Sequence, residues 1–330
     1  MEPLKLAVVG VGALGRHHAR ILSQMPGVKL VAVADPNVAQ AQSVAENCGC
    51  EWTPDYRTLL QRIDAASIVV PTFLHKSVAS EFLQRSIPVL VEKPLAGSVD
   101  DGGTLVRLAD EHKIPLQVGH IERFNPAILA LDGYDIRPMF VESHRLSQFN
   151  PRSTDVDVVL DLMIHDIDII VSLVGSGVDS VDASGVAVVS ETLDIANARL
   201  RFANGCIANV TASRISQKKM RRMRLFQKDA YISVDFLEGE SEVFRLLDGP
   251  DTAGKGTKRL GEIETGTRKR TIVYQKPKIR KINPLGYELG RFVDAIALGV
   301  EPPVTGEDGL RALGVAHMII DRIGERKLPS

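Results

Sequence analysis

Two stretches of the chain hold side chains whose types and spacing could do chemistry. In Val89-Leu90-Val91-Glu92-Lys93-Pro94 an apolar run of β-formers leads straight into a lysine, and Pro94 stops the strand. Ligands of an open parallel sheet bind beyond the carboxyl ends of its strands, so Lys93 is expected where a cofactor and a substrate meet. Asp161 and His165 lie four residues apart in 157–174, which reads as one long helix, so both fall on one face. A carboxylate beside one imidazole nitrogen fixes the tautomer and raises the basicity of the other, which makes a proton acceptor near neutral pH. The same spacing also suits a structural histidine capped by a carboxylate. Asp168 adds a metal-ligand reading, but one histidine with carboxylates is a poor donor set, and no metal is expected.

The elements that position these residues begin at the first strand, Leu4 to Val9. Gly10-Val-Gly12-Ala13-Leu14-Gly15 follows at once, then a helix over Arg16 to Met25 and a strand over Val28 to Ala34 that ends in Asp35. Strand, glycine turn, helix and strand, with an acid about twenty residues past Gly15, form a dinucleotide-binding pattern. Gly10 allows a tight turn, Gly12 lets backbone approach a pyrophosphate, and Gly15 lets helix and sheet pack closely. The helix N-terminus supplies N–H groups and partial positive charge. Asp35 is expected to accept from a ribose diol and to repel a 2′-phosphate, which favours NAD over NADP.

Helices predicted over 38–48, 55–61, 76–84 and 100–112 alternate with strands over 51–52, 66–70, 88–91 and 115–118. That alternation indicates a doubly wound parallel sheet. After residue 120 the pattern changes. Ile121 to Leu131 reads as one more helix and 140–149 as a strand, followed after the 157–174 helix by strands over 178–189, 195–202, 206–212, 223–227 and 230–236. Polar 248–266 reads as a loop, and helices over 287–298 and 309–322 close the chain. The expected fold is α/β: an N-terminal dinucleotide-binding domain with a doubly wound parallel sheet (1–120), then an α+β domain (121–330) with an antiparallel sheet packed on helices. Helices in 284–330 are able to pack back on the first domain.

A chain of 330 residues with 44% hydrophobic and 25% charged residues suits two globular domains. Lys plus Arg number 40 against 41 Asp plus Glu, so no global field draws it to nucleic acid or anionic lipid. Apolar runs fall short of the ~18 residues of a membrane span, and Met1 to Lys5 leads directly into a strand, leaving no room for a signal peptide. Cys48, Cys50 and Cys206 cannot make a disulfide framework, and Cys48 and Cys50 are too close for a zinc knuckle. A reducing cytoplasm is expected.

Gly10 to Gly15, Asp35, Pro71-Thr72 with His75, Glu92-Lys93-Pro94 and Asp161-x-x-x-His165 occur in an order and spacing that resembles the glucose–fructose oxidoreductase, inositol dehydrogenase and rhizopine-catabolism family of NAD(P)-dependent sugar and cyclitol oxidoreductases. The similarity runs end to end, includes Val304-Thr305-Gly306-Glu307-Asp308-Gly309, and implies a Rossmann domain followed by a domain with a large, open, mostly antiparallel sheet. The resemblance implies cofactor contacts from Pro71, Thr72, His75, Glu92 and Lys93 beside the glycine turn and Asp35. It implies that Lys93 touches both nicotinamide and the substrate hydroxyl, that His165 moves the proton with Asp161 orienting it, and that the second sheet forms a homodimer or homotetramer interface. One departure is that many members carry Gly-Gly shortly before the Asp-x-x-x-His, where this chain has Asp157-Val158-Val159-Leu160.

Gly119-His120-Ile121-Glu122-Arg123-Phe124-Asn125-Pro126 follows the last parallel strand, and within the family it resembles members that oxidise C3 of UDP-N-acetylglucosamine. His120, Glu122, Arg123, Asn125, Arg145 and Arg214 are the expected substrate contacts, although His120 and Arg123 would equally serve to tie the domains together. The block Arg214 to Lys228 holds seven cations and no acid, as a diphosphate requires. A solvated strand edge protected by cations has the same composition, while an RNA surface lacks the interleaved aromatics for stacking. The sequence therefore points to oxidation of a ring hydroxyl of a nucleotide sugar. A free cyclitol or hexose substrate and a non-catalytic NAD-bound sensor remain as alternatives.

Overall fold

The computed structural model describes residues 2–150, 156–248, 256–265 and 268–325. Its contacts divide the chain into two compact units, Met1–Ile121 with Asn283–Gly314, and Glu122–Ile282 with Val315–Ser330.

In the first unit the strands are β1 (Leu4–Val9), β2 (Val28–Ala34), β3 (Glu51–Thr53), β4 (Ala65–Ile68), β5 (Val89–Glu92) and β6 (Leu116–Gly119), and the helices α1 (Gly15–Ser23), α2 (Val38–Cys48), α3 (His75–Leu83) and α4 (Val99–His112). All pairings are parallel, in the order β3-β2-β1-β4-β5-β6. The inner strands are apolar on both faces, since helices cover each side. The order reverses between β1 and β4, and a crevice opens beyond their carboxyl ends at such a point. The stretch predicted helical over 55–61 is a single 3-10 turn, Tyr56–Leu59.

In the second unit the helix predicted over 121–131 breaks into a 3-10 turn, Ile121–Phe124, and α5 (Pro126–Leu129), because Asn125 caps and Pro126 starts a new helix. The strands are β7 (Phe140–Leu146), β8 (Val178–Val186), β9 (Ile195–Phe202), β10 (Ile207–Ser213), β11 (Met220–Phe226), β12 (Ala230–Asp235), β13 (Glu240–Asp248), β14 (Thr257–Thr265) and β15 (Arg268–Gln275), with helix α6 (Ile164–Val174). They form one sheet, β14-β15-β13-β12-β11-β7-β10-β9-β8. Among the described residues only β7 and β10 run parallel. The polar stretch predicted as a loop over 248–266 is in its described part the edge strand β14, paired with β15; residues 249–255 and 266 lie outside the described residues. A charged edge strand lacks the alternation of a half-buried one, and its charges protect the edge.

Helix α7 (Pro284–Leu298) contributes Leu285, Leu289 and Phe292 to the same core as Leu6, Val8, Val11, Leu22 and Leu90. Helix α8 (Gly306–Glu325) follows. No helix among the described residues is long and apolar enough to cross a membrane.

Candidate active site

The glycine turn follows β1. Gly10 has φ +84°, and an added Cβ there would fall 2.6 Å from the Val69 carbonyl oxygen. A Cβ on Gly15 would run into the Gly10 carbonyl. The fold itself therefore requires both glycines. Gly12 is different: its φ is not positive and the nearest atom to an added Cβ is Gln40 Nε2 at 3.9 Å. Nothing in the protein demands glycine there, whereas a pyrophosphate approaching the backbone would. Ala13 and Leu14 are exposed, and α1 begins with no side-chain cap on its N-terminus, so these residues fit a dinucleotide. Asp35, half-buried at the end of β2, accepts from Val11 N at 2.8 Å through Oδ2 and from Asn37 N at 2.9 Å through Oδ1. Its charge is thereby fixed beside the turn, where a 2′-phosphate of NADP would meet it. NAD should bind at least roughly tenfold more tightly than NADP, about 1.4 kcal/mol. Asp35→Ala should narrow that gap; equal affinities in titrations of the wild type would refute the assignment.

Lys93 is half-buried immediately after β5. Two neighbours expected at the cofactor bind backbone next to this lysine: His75 at Pro94 and Val70, and Glu92 at Lys93 itself. His75 is 1% exposed. Its Nδ1 lies 2.8 Å from Pro94 O and its Nε2 2.9 Å from Val70 O, so both ring nitrogens are spent on backbone that follows β5 and β4. Burial pushes the imidazole pKa below its ordinary value, against the pull of these carbonyls. The neutral ring donates to one of them at a time. Glu92 is also internal: Oε1 stands 3.2 Å from Nε2 of the fully buried His18, and Oε2 accepts from Lys93 N at 3.3 Å. Gly119 is glycine for this reason, since a Cβ would sit 2.9 Å from the Glu92 carboxylate. His18, whose Nδ1 is 2.9 Å from Ser67 Oγ, had no signal in the sequence beyond its place in the helix after the glycine turn. Pro71 is exposed and Thr72 half-buried at the ligand edge, and between them and His75 Phe73 is 80% exposed, a feature the motif reading passed over.

Asp161 and His165, both half-buried, do not share the single α-helix expected of 157–174. Asp161 lies in a π-helical turn, Val159–Met163, and α6 starts at Ile164. The i to i+4 face argument therefore does not carry over directly; such wider turns recur at functional sites. Leu193 anchors the start of this segment, donating its N–H to Asp157 Oδ1 at 2.9 Å and accepting from Val158 N at 3.0 Å.

Most residues expected to contact substrate prove to be internal ties of the second unit. Arg145 on β7 is 2% exposed and donates to Asp166 at 2.6 Å and to Glu122 at 2.8 Å. Its burial opposes the charged form, but Asp166 and Glu122 outweigh that and hold it cationic. Asp166 also accepts from Ser143 Oγ at 2.9 Å. Arg123 forks onto both oxygens of Asp168 at 2.7 and 2.9 Å, so that carboxylate is committed to an arginine. Asn125 caps α5 and donates to Glu122 at 3.0 Å. The residues on either side of Ile167 in α6 are thus clamped by arginines from β7 and the 121–124 turn. His120, in the first unit, is 1% exposed.

Arg214 requires the plainest correction. It is 3% exposed, 3.0 Å from Asp194, and donates to Thr192 Oγ1 at 2.7 Å and Leu193 O at 2.6 Å. Burial of Asp194 would raise its pKa, but bonds from Ser190, Val189 and Val188 hold the carboxyl well below the usual range. Arg214 thus locks the loop before β9, with Nε on Asp194 and Nη2 shared between Thr192 and Leu193. Nor is the basic block free of partners: Arg222 pairs with Asp235, Arg224 with Glu142 and Arg221 with Glu122.

A Rossmann sheet with a built dinucleotide turn, a lysine after β5 and a histidine opening a helix on a large second sheet define a class of nicotinamide-dependent oxidoreductases. The chain belongs to the GFO/IDH/MocA family. Residues 4–120 match its model for an oxidoreductase family with an NAD-binding Rossmann fold, and residues 137–233 match the GFO/IDH/MocA C-terminal domain. It is an NAD-dependent dehydrogenase acting on CH–OH groups. UDP-N-acetylglucosamine 3-dehydrogenase of Acidithiobacillus ferrooxidans is 36% identical over 321 residues, which is 97% of each chain. The solved structure of that enzyme superposes with TM-score 0.87 at 33% identity, covering 98% of this chain and 99% of that one. Inositol 2-dehydrogenase of Rhizobium meliloti is 26% identical over 98% of each chain.

Proposed function

We propose that the protein oxidises a ring hydroxyl of a nucleotide sugar, UDP-N-acetylglucosamine at C3, to the 3-keto sugar. The observation that carries this reading is the end-to-end similarity to the Acidithiobacillus enzyme, at 36% identity over 97% of both chains. We assign the proton to His165, oriented by Asp161, and the stabilisation of developing alkoxide charge to Lys93, a contact worth several kcal/mol in a dry site. Gly10, Gly12, Ala13, Leu14, Gly15, Asp35, Pro71 and Thr72 are the proposed cofactor contacts. NAD, when bound, accepts the hydride from the ring carbon. Lys93, Glu92 and His75 complete the proposed cofactor contacts, with Glu92 accepting from the Lys93 N–H and His75 set against the Pro94 carbonyl. The inositol dehydrogenase relative supports a second reading, a free cyclitol substrate. Competition separates the two. UDP at millimolar concentration should inhibit competitively against the nucleotide sugar, and a free hexose should not. Absence of UDP inhibition, with inositol turned over at least as well, would favour the cyclitol.

We infer further that two copies pair through the sheet of the second unit. Phe140, Phe226, Tyr231, Phe244 and Tyr274 form a ladder across five strands, with successive ring centroids 5.8, 5.1, 5.6 and 5.0 Å apart. All five are half-buried within one chain, which leaves apolar area to cover. Sedimentation should give a dimer or tetramer that Phe244→Arg weakens; a monomeric wild type would contradict this. The three cysteines are free thiols, in keeping with a reducing cytoplasm, which cell fractionation would check.

A further inference from the structure

The basic block was read from sequence as one cluster, but the two-residue period of β11 sorts its arginines onto opposite faces. Arg222 and Arg224 share a face with Phe226 and reach Asp235 at 2.8 Å and Glu142 at 3.5 Å. Arg221 lies on the other face, with the buried Met223 and Leu225. Its cross-strand neighbour on β7 is Arg145, whose guanidinium holds Asp166, the residue after His165. Arg221 therefore stands on the face of the sheet that carries the His165 helix, one strand from the clamp on that helix.

Its side chain is 41% exposed, unlike those of Arg145, Arg123 and Arg214, which are buried or nearly so and spent on Asp166, Asp168 and Asp194. Arg221 uses Nη1 on Glu122 Oε1 at 3.2 Å, and its Nε and Nη2 have no partner among the described residues. Glu122 is 8% exposed and is itself held by Arg145 and Asn125, so it is a fixed peg that orients the fork of Arg221. Arg145 and Arg221 together balance Glu122 and Asp166. A surplus of positive charge comes from Lys218 and Lys219, both exposed in the turn that leads into β11.

We propose that Arg221 is the donor that recognises the diphosphate of the nucleotide sugar, with Lys218 and Lys219 supplying the neutralising charge. This rests on the nucleotide-sugar reading above. A planar guanidinium pre-set by a buried carboxylate matches a phosphate with two parallel N–H groups, and the contact is made equally in ground and transition states.

The test compares Arg221→Met and Arg221→Gln with Arg222→Met, an adjacent arginine of the same strand on the opposite face. Both Arg221 variants should raise KM for UDP-N-acetylglucosamine and the inhibition constant of UDP on the order of 10–100-fold. Their kcat should stay within about threefold, and NAD affinity should be unchanged. Arg222→Met should leave all four constants near wild type. Wild-type KM and UDP inhibition in both Arg221 variants would overturn the proposal while leaving the nucleotide-sugar reading intact, as would an equal loss in Arg222→Met. If UDP fails to inhibit the wild type, the underlying reading is itself wrong and the proposal falls with it.

Discussion

Replacing Lys93 by Met, or His165 by Ala, should lower kcat by roughly 10²-fold or more while NAD affinity stays within a few-fold. The two residues are asked to do different things. Lys93 presents a cation after β5, and the backbone around it is held by Glu92 at the Lys93 N–H and by His75 at the Pro94 carbonyl, so substitution removes charge from a scaffold that stays built. His165 opens α6, whose next turn is held by Arg145 and Arg123 through Asp166 and Asp168, so truncating its ring leaves the helix anchored. Circular dichroism and NAD titration separate loss of chemistry from loss of fold. Unchanged turnover in either variant removes that residue from the mechanism, and a variant that cannot fold marks a structural histidine or lysine.

The largest expected effect on stability is at Arg145. Arg145→Met removes the cation shared by Asp166 and Glu122 and leaves two buried carboxylates without it, a loss of about 3–5 kcal/mol. That is a large fraction of the ~5–15 kcal/mol of a typical domain. Replacing Arg145 and Asp166 together by apolar residues should cost less than Arg145→Met alone, because the pair is removed with its desolvation penalty. Denaturant melts of both variants check this, and a single variant as stable as wild type would show that the clamp contributes nothing. Reduced kcat in Arg145→Met at a temperature where it is folded would show that the clamp also positions the His165 helix.

Much of the first unit was legible because its signals are local. The sequence places β2 and α2 to the residue, since β2 is apolar but for Lys29 and Asn37 and Gly49 mark the helix ends. The sequence pattern assigns all three glycines of the turn alike, and only the geometry separates Gly12, which has room for a Cβ, from Gly10 and Gly15, which do not. The second unit was less legible because its decisive interactions are tertiary. Arg123 finds its carboxylate 45 residues away at Asp168, and Arg221 meets Glu122 across 99. No local pattern distinguishes an arginine that clamps a helix from one that waits for a phosphate. The block 214–228 looked uniformly basic because its acids, Asp194, Glu122, Asp235 and Glu142, come from elsewhere in the chain. β14 reads as a loop in the sequence because an edge strand needs no apolar face, and the π-turn at Asp161 leaves no mark on a helical periodicity.

The most direct measurement is the initial rate of NADH formation by the purified protein with NAD and UDP-N-acetylglucosamine, set beside the free hexose, N-acetylglucosamine and inositol at equal concentration. The expected result is turnover highest with the nucleotide sugar, lowered roughly 10²-fold or more by His165→Ala and suppressed by UDP. NADH formation from inositol or a free hexose at an equal or greater rate, insensitive to UDP, would contradict it.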